Sequence, residues 1–205
     1  MNKRINIEIP GINLVGAKIQ IVGTSPLLMN RASQEVRAAL DDRSPGKKKP
    51  VQAKTNVSDE DVIKGKSHYC DNKTFGFPAR SFKIAMMEIA KRFKDKKLPS
   101  TIVRSGVQIK GDDNGLIPIE YESMQISKEF AVYKSTGTAN IATRPKFVKW
   151  GTLLDVVFNE SMISLDQILY LLVQAGFAIG VGSWRPDKNG TYGTFEIGAV
   201  ERYEL

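Results

Sequence analysis

The order of elements between residues 164 and 197 limits what this chain can become more than any other stretch does. Ser164-Leu165-Asp166-Gln167 opens an apolar run, followed by Gly176, Gly180, Gly182, Gly190 and Gly193 and then by Thr194-Phe195-Glu196-Ile197. A serine with a glutamine three residues on is a capping box, and Asp166 suits the positive end of the helix dipole. The spacing therefore predicts a helix that starts at Ser164, with Leu165, Ile168, Leu169, Leu172 and Val173 on one apolar face and Gly176 placed to end it in a left-handed conformation. A dinucleotide or P-loop site needs its glycines after a strand and before a helix, so that phosphate meets the helix N-terminus. Here the order is helix, glycines, strand, and no Gly-Lys-Ser/Thr follows, which argues against nucleotide hydrolysis.

Gly180, Gly182, Gly190 and Gly193 bracket Trp184, Arg185, Lys188 and Tyr192. Glycine lets a backbone approach another chain closely or turn its N–H groups toward phosphate oxygens, and an aromatic with two cations suits a nucleic-acid backbone. The same glycines would also serve a long hairpin whose turn geometry they satisfy, with Trp184 covering the core. The residues alone support both readings.

Charge bears on that choice. The 205 residues hold 30 Lys+Arg against 22 Asp+Glu, a net charge of +8, which favours a polyanionic partner through phosphate contacts and counterion release. A single cysteine, Cys70, rules out an intrachain disulfide and a multi-cysteine zinc site, and with His68 as the sole histidine no metal or cofactor is expected. Residues 1–10 alternate charge with isoleucine rather than forming a signal pattern, and no apolar run reaches membrane-spanning length. The expectation is one cytoplasmic domain over residues 1–205, with no membrane partner.

Along the chain, Ile5, Ile7 and Ile9 suggest a short N-terminal extension, and Ala17 to Gly23 a first core strand closed by the turn Thr24-Ser25-Pro26. A short helix is expected over residues 33–40. Residues 41–66 hold Lys47, Lys48 and Lys49 between prolines, and read as an exposed, mobile basic insertion joined by Arg31, Arg37, Arg43, Lys54, Lys64 and Lys66. His68-Tyr69-Cys70 lacks a second histidine or further thiolates nearby, so a catalytic or metal reading there is weak. Ala79 to Lys94 reads as the second helix, with Phe82, Ala85, Met86, Ile89 and Phe93 toward the core and Arg80, Lys83, Lys91 and Lys94 on another side. Thr101 to Lys110 and Leu116 to Tyr121 read as a hairpin about Gly111-Asp112-Asp113-Asn114-Gly115. Ser127 to Pro145 reads as a second mobile loop carrying Lys128, Tyr133, Lys134 and Arg144, and Thr152 to Phe158 as a core strand feeding the Ser164 helix.

This order gives an α+β fold: a modified ferredoxin-like or RRM-like antiparallel sheet with helices on one face and inserted basic loops. At Gly180 to Phe195 the sequence resembles the glycine-rich loop of the RAMP superfamily of CRISPR-associated RNA-binding proteins. Ile21-Val22-Gly23-Thr24-Ser25-Pro26-Leu27 is similar to the strand and "SPL" opening of its Cas7-type backbone subunits, which carry an inserted region after it. Phe75 to Ala79, Arg144 to Phe147 and Gly182 to Pro186 also look like bacteriophage proteins of this architecture. The chain departs from the family in having Leu28-Met29-Asn30 after "SPL", and in being short for a Cas7 subunit.

The resemblance implies a non-catalytic protein that binds single-stranded nucleic acid, RNA in preference to DNA, and assembles as a homo-oligomer or filament along the strand. Gly180, Gly182, Gly190 and Gly193 would bring the loop to phosphates that Arg185 and Lys188 neutralise, and Trp184 and Tyr192 would stack bases or pack the loop. Arg80, Lys83 and Lys91 would extend the track, and Lys47, Lys48 and Lys49 would clamp it. Two further readings stay open: an endoribonuclease using His68, Asp41 or Asp42, and a phage structural or anti-defence protein whose loop makes protein contacts.

Overall fold

The computed structural model describes residues 11–32, 58–71, 73–93, 98–132 and 139–205. Its centre is β1 (Leu14–Gly23), where Val15, Ala17, Ile19 and Ile21 point into the core and Lys18, Gln20 and Val22 point out. The period of two fixes one buried face, and that face needs helices against it. β1 lies between β9 (Gly151–Asn159) and β10 (Phe195–Glu204), and β5 (Val107–Lys110) completes the sheet beyond β9. The order is β10-β1-β9-β5, antiparallel throughout. With α2 (Arg80–Phe93) between β1 and β5, and α4 (Leu165–Ala178) between β9 and β10, the path is the split βαβ pattern of a ferredoxin-like fold.

Both helices bury one face on this sheet: Phe82, Ala85, Met86 and Ile89 from α2, and Ile168, Leu171, Leu172 and Ala175 from α4. Phe82 meets Phe195 edge-on with ring centroids 5.4 Å apart, which ties α2 to β10. The capping box forms as the sequence predicts: Gln167 N–H donates to Ser164 Oγ at 3.3 Å and Ser164 N–H to Gln167 Oε1 at 3.0 Å.

Two insertions decorate the sheet. Between β1 and α2 come β2 (Leu27–Leu28), α1 (Asp59–Lys66), β3 (His68–Tyr69) and β4 (Phe75–Pro78). Between α2 and β9, apart from the main-sheet strand β5, come α3 (Ser100–Gly106), β6 (Leu116–Pro118), β7 (Ser123–Val132) and β8 (Ala139–Val148). They build two small sheets, β2-β8-β7 and β3-β4-β6.

Several expectations change. Ser127 to Pro145 is not a loop: β7 and β8 pair as a long antiparallel hairpin from Ser123↔Val148 outward. Met124 and Phe147 tie its base to the core, but from Ser127 outward Lys128 and Glu129 meet polar partners on α1 and the glycine-rich loop, which hid the strands. The hairpin expected from Thr101 to Tyr121 does not form. Pro99 caps α3 over the first part, β5 pairs with β9, and β6 pairs with β4. The connecting turn is nonetheless as read, with Asp112 Oδ1 accepting from Asn114 N–H at 2.9 Å and Leu116 N–H at 2.8 Å. Within the expected basic loop, residues 59–66 are helical although none is buried; Ser58 caps them, Asp59, Glu60 and Asp61 sit at the positive end and Lys64 and Lys66 at the other. Gly176 does not end α4, which runs to Ala178. A Cβ at Gly176 would stand 2.0 Å from Phe195 O, so this glycine serves the close approach of β10, and Gly180, at φ 65°, takes the left-handed position. Phe93 and Val173 lie at the surface rather than in the core. The expected 33–40 helix, the N-terminal extension, Asp41, Asp42, Lys47, Lys48, Lys49, Lys94, Tyr133 and Lys134 lie outside the described residues.

Candidate nucleic-acid interface

Between Ile179 and Thr194 the chain crosses itself twice. A Cβ at Gly190 would stand 1.7 Å from Trp184 O and one at Gly193 1.8 Å from Val181 O, so no other residue fits at these crossings. The backbone donors follow from the same geometry: Gly180 N–H bonds Ala175 O at 2.8 Å, Gly190 N–H bonds Arg185 O at 3.1 Å and Gly193 N–H bonds Pro26 O at 2.8 Å. These three N–H groups hold the loop's shape and leave charge recognition to its side chains. Ser183 N–H to Leu28 O and Thr194 N–H to Ser25 Oγ lash the loop to the Ser25-Pro26-Leu27 turn. The two stretches that carry the resemblance, far apart in sequence, are thus one structural unit.

The loop's side chains are placed by charge. Arg185 donates from Nη1 to Gly182 O at 3.1 Å and from Nη2 to Asp187 Oδ2 at 3.2 Å. Asp187, at 10 % side-chain exposure in the 3-10 turn Pro186–Lys188, also pairs with Arg92 of α2 and with Lys188 at 3.3 Å. Burial pushes the Asp187 carboxyl up, but Lys188, Arg185 and Arg92 together outweigh it and hold the group below the ordinary carboxylate range. Trp184, at φ 53°, has the Arg144 guanidinium 5.5 Å from its ring centroid, and Tyr192 OH donates to Glu129 at 2.8 Å. That bond, helped by burial and the Glu129 charge, raises the phenol above its usual range. Trp184 and Tyr192 therefore latch the glycine-rich loop to one face of the β7–β8 hairpin, while Lys128 on the other face pairs with Asp59 of α1 at 3.4 Å.

Cations also gather at the start of α2. A cleft of about 660 Å³ is lined by Arg31, His68, Tyr69, Arg80, Lys83 and Asn114, among others, and by no Asp or Glu among the described residues. Lys83 Nζ donates to Arg104 O at 2.8 Å, and burial, with Arg104 nearby, lowers its pKa. The first turn of α2 carries no acidic residue, so Arg80 and Lys83 add positive charge at the positive end of a helix dipole. Such an arrangement is relieved by an anion. A second cleft of about 340 Å³ adjoins it, sharing His68 and Pro78 and running between Ser81 and Glu88 of α2 and Gly182 and Arg185 of the loop. Together they trace a path from the glycine-rich loop across the α2 N-terminus to Arg31.

The structure thus brings Arg80, Lys83, Gly180, Gly182 and Arg185 onto one path, with His68 at its middle. Lys91 lines neither cleft and bonds Glu88 at 2.6 Å, and Lys188 is exposed beside Asp187. Sequence reading missed Asp187 as the anchor of Arg185, and Arg92 of α2 as a further partner of that carboxylate, a pairing across elements that leaves no local signal. It placed Arg31 in the basic insertion without assigning it a site. The open face of the main sheet offers no equivalent. Its one aromatic side chain among the described residues, Tyr203, lies against Gly16, donates to Asp155 and has Lys110 Nζ 5.8 Å from its ring centroid. Among the described residues no cluster of His, Cys, Asp and Glu could hold a metal ion, and no helix is long and apolar enough to cross a membrane.

No family model matches this chain, and no curated protein does. Among solved structures, a chain of the type III-B Cmr-beta bound to cognate target RNA matches with a TM-score of 0.51 at 10 % identity, over 94 % of this chain. This chain covers 61 % of the length of that one. The likeness is one of fold.

Proposed function

We propose that this protein is a RAMP-like, Cas7-like binder of single-stranded nucleic acid, RNA in preference to DNA, that works without catalysis and assembles along the strand. The observation that carries the reading is the cleft at the α2 N-terminus, lined by no Asp or Glu among the described residues, where Arg31, Arg80 and Lys83 converge next to the smaller cleft that the glycine-rich loop lines. Phosphates would follow the joined clefts, with Arg80, Lys83, Arg185 and Lys188 as their cations and Gly180, Gly182, Gly190 and Gly193 shaping the wall. Lys91 would act at the margin, as would Lys47, Lys48 and Lys49 from the insertion. The structural neighbour is bound to target RNA, which supports RNA as the ligand class. Such binding is salt-sensitive and tolerant of sequence. Ultraviolet cross-linking of the full chain to a uridine oligonucleotide, followed by peptide mapping, tests the path. Cross-links in peptides holding Arg31, Arg80 or Ser183 support it, and cross-links confined to the open sheet face contradict it.

A second reading rests on His68, which lines both clefts. If the protein is instead an endoribonuclease of this superfamily, His68→Ala abolishes cleavage while binding persists. RNA left intact after prolonged incubation with the wild-type protein argues against it.

A further inference from the structure

Helix α4 keeps an apolar stripe uncovered on the side opposite its core face. Tyr170, Val173 and Phe177 follow one another at intervals of three and four residues; Phe177 is 82 % exposed, and the other two are about half exposed. Phe93, also half exposed, stands beside Tyr170 with ring centroids 6.2 Å apart. Side chains of this size each present roughly 150–250 Å² when fully open, so the patch is on the order of 500 Å², near the upper end of what a monomer leaves bare. None of these residues lines the clefts or takes part in the loop's ion pairs.

We propose that this stripe is a homodimer contact, in which α4 of one copy packs antiparallel against α4 of a second copy. The spacing is that of a narrow helix–helix seam, which is self-complementary about a two-fold axis near Val173. Charge selects the antiparallel sense. The helix bears one charged side chain, Asp166, at its N-terminal end, whereas Arg92 and Lys188 gather around Asp187 at its C-terminal end, where Asp187 N–H donates to Ile179 O at 3.2 Å. Antiparallel pairing sets the acid of each copy near the basic end of the other and opposes the two helix dipoles favourably. Two such patches bury about 1,000 Å², the lower bound for a specific interface, which fits a weak and reversible dimer. The contact forms without nucleic acid and stands whether or not the clefts bind a strand.

Sedimentation velocity on the nuclease-treated full chain, from low to several hundred micromolar, tests it. Wild type passes from monomer to dimer with concentration, and Phe177→Asp, folded by circular dichroism because the side chain is exposed, dimerises at least about tenfold more weakly. In a Cys70→Ser background, Val173→Cys forms covalent dimers on mild oxidation, whereas a cysteine at exposed Asn114 does not. Wild type that stays monomeric across the series, a Phe177→Asp protein that dimerises as well as wild type, or a dimer seen only with added RNA overturns the proposal.

Discussion

Asp187 shows how one side chain sets the loop. Its carboxylate gathers Arg92, Arg185 and Lys188, and so fixes the guanidinium that faces the smaller cleft. Because three cations hold the folded carboxyl below its ordinary range, its contribution to stability is present above the unfolded carboxylate pKa. That contribution is lost as pH falls through the lower, folded value. Asp187→Asn is therefore expected to cost about 1 kcal/mol at neutral pH, with the gap from wild type closing below about pH 4; urea denaturation at several pH values measures it. Lys83 shows the opposite balance, a half-buried cation whose charge burial disfavours and a carbonyl of α3 orients. Lys83→Ala leaves stability nearly unchanged and lowers the salt slope of log K for single strands by about 0.7, the loss of one phosphate contact.

Whether an element could be read from sequence depended on what held it. The Ser164 helix and the β1 strand were legible because cap, period and burial agree on the same residues. Helix α1 was not, since it has no buried face and therefore no apolar period to mark it. The β7–β8 hairpin was not, because Lys128, Glu129 and Arg144 find their partners on α1 and the glycine-rich loop, contacts that only the tertiary structure supplies. For the same reason the glycines were ambiguous in sequence: the crossing of Gly190 under Trp184 is invisible until the chain is folded. Two substitutions separate these cases in thermal denaturation. Ser164→Ala loses the cap and costs about 1 kcal/mol, whereas Gly190→Ala drives a methyl into the Trp184 carbonyl and costs about 2–3 kcal/mol or more, with loss of binding.

At the scale of the molecule, the fold separates its surfaces by chemistry. The helix side of the sheet carries the joined clefts and the loop, the opposite sheet face is open with Tyr203 lying over Gly16, and α4 presents its apolar stripe. In the proposed function, a net charge of +8 supplies long-range attraction for a polyanion, and the cleft at α2, lined by no Asp or Glu among the described residues, is the place proposed for it. The central claim is that this cleft binds the backbone of a single strand. The most direct measurement is fluorescence anisotropy with labelled single-stranded RNA, single-stranded DNA and duplex DNA over a salt series, comparing wild type with the Arg80→Ala/Lys83→Ala double variant. The account predicts tightest binding to single-stranded RNA, weakening steeply with salt, and a double variant that binds about tenfold or more weakly with a slope shallower by roughly 1.4. No binding to any of the three at moderate salt, or an affinity that the double variant leaves unchanged, would contradict it.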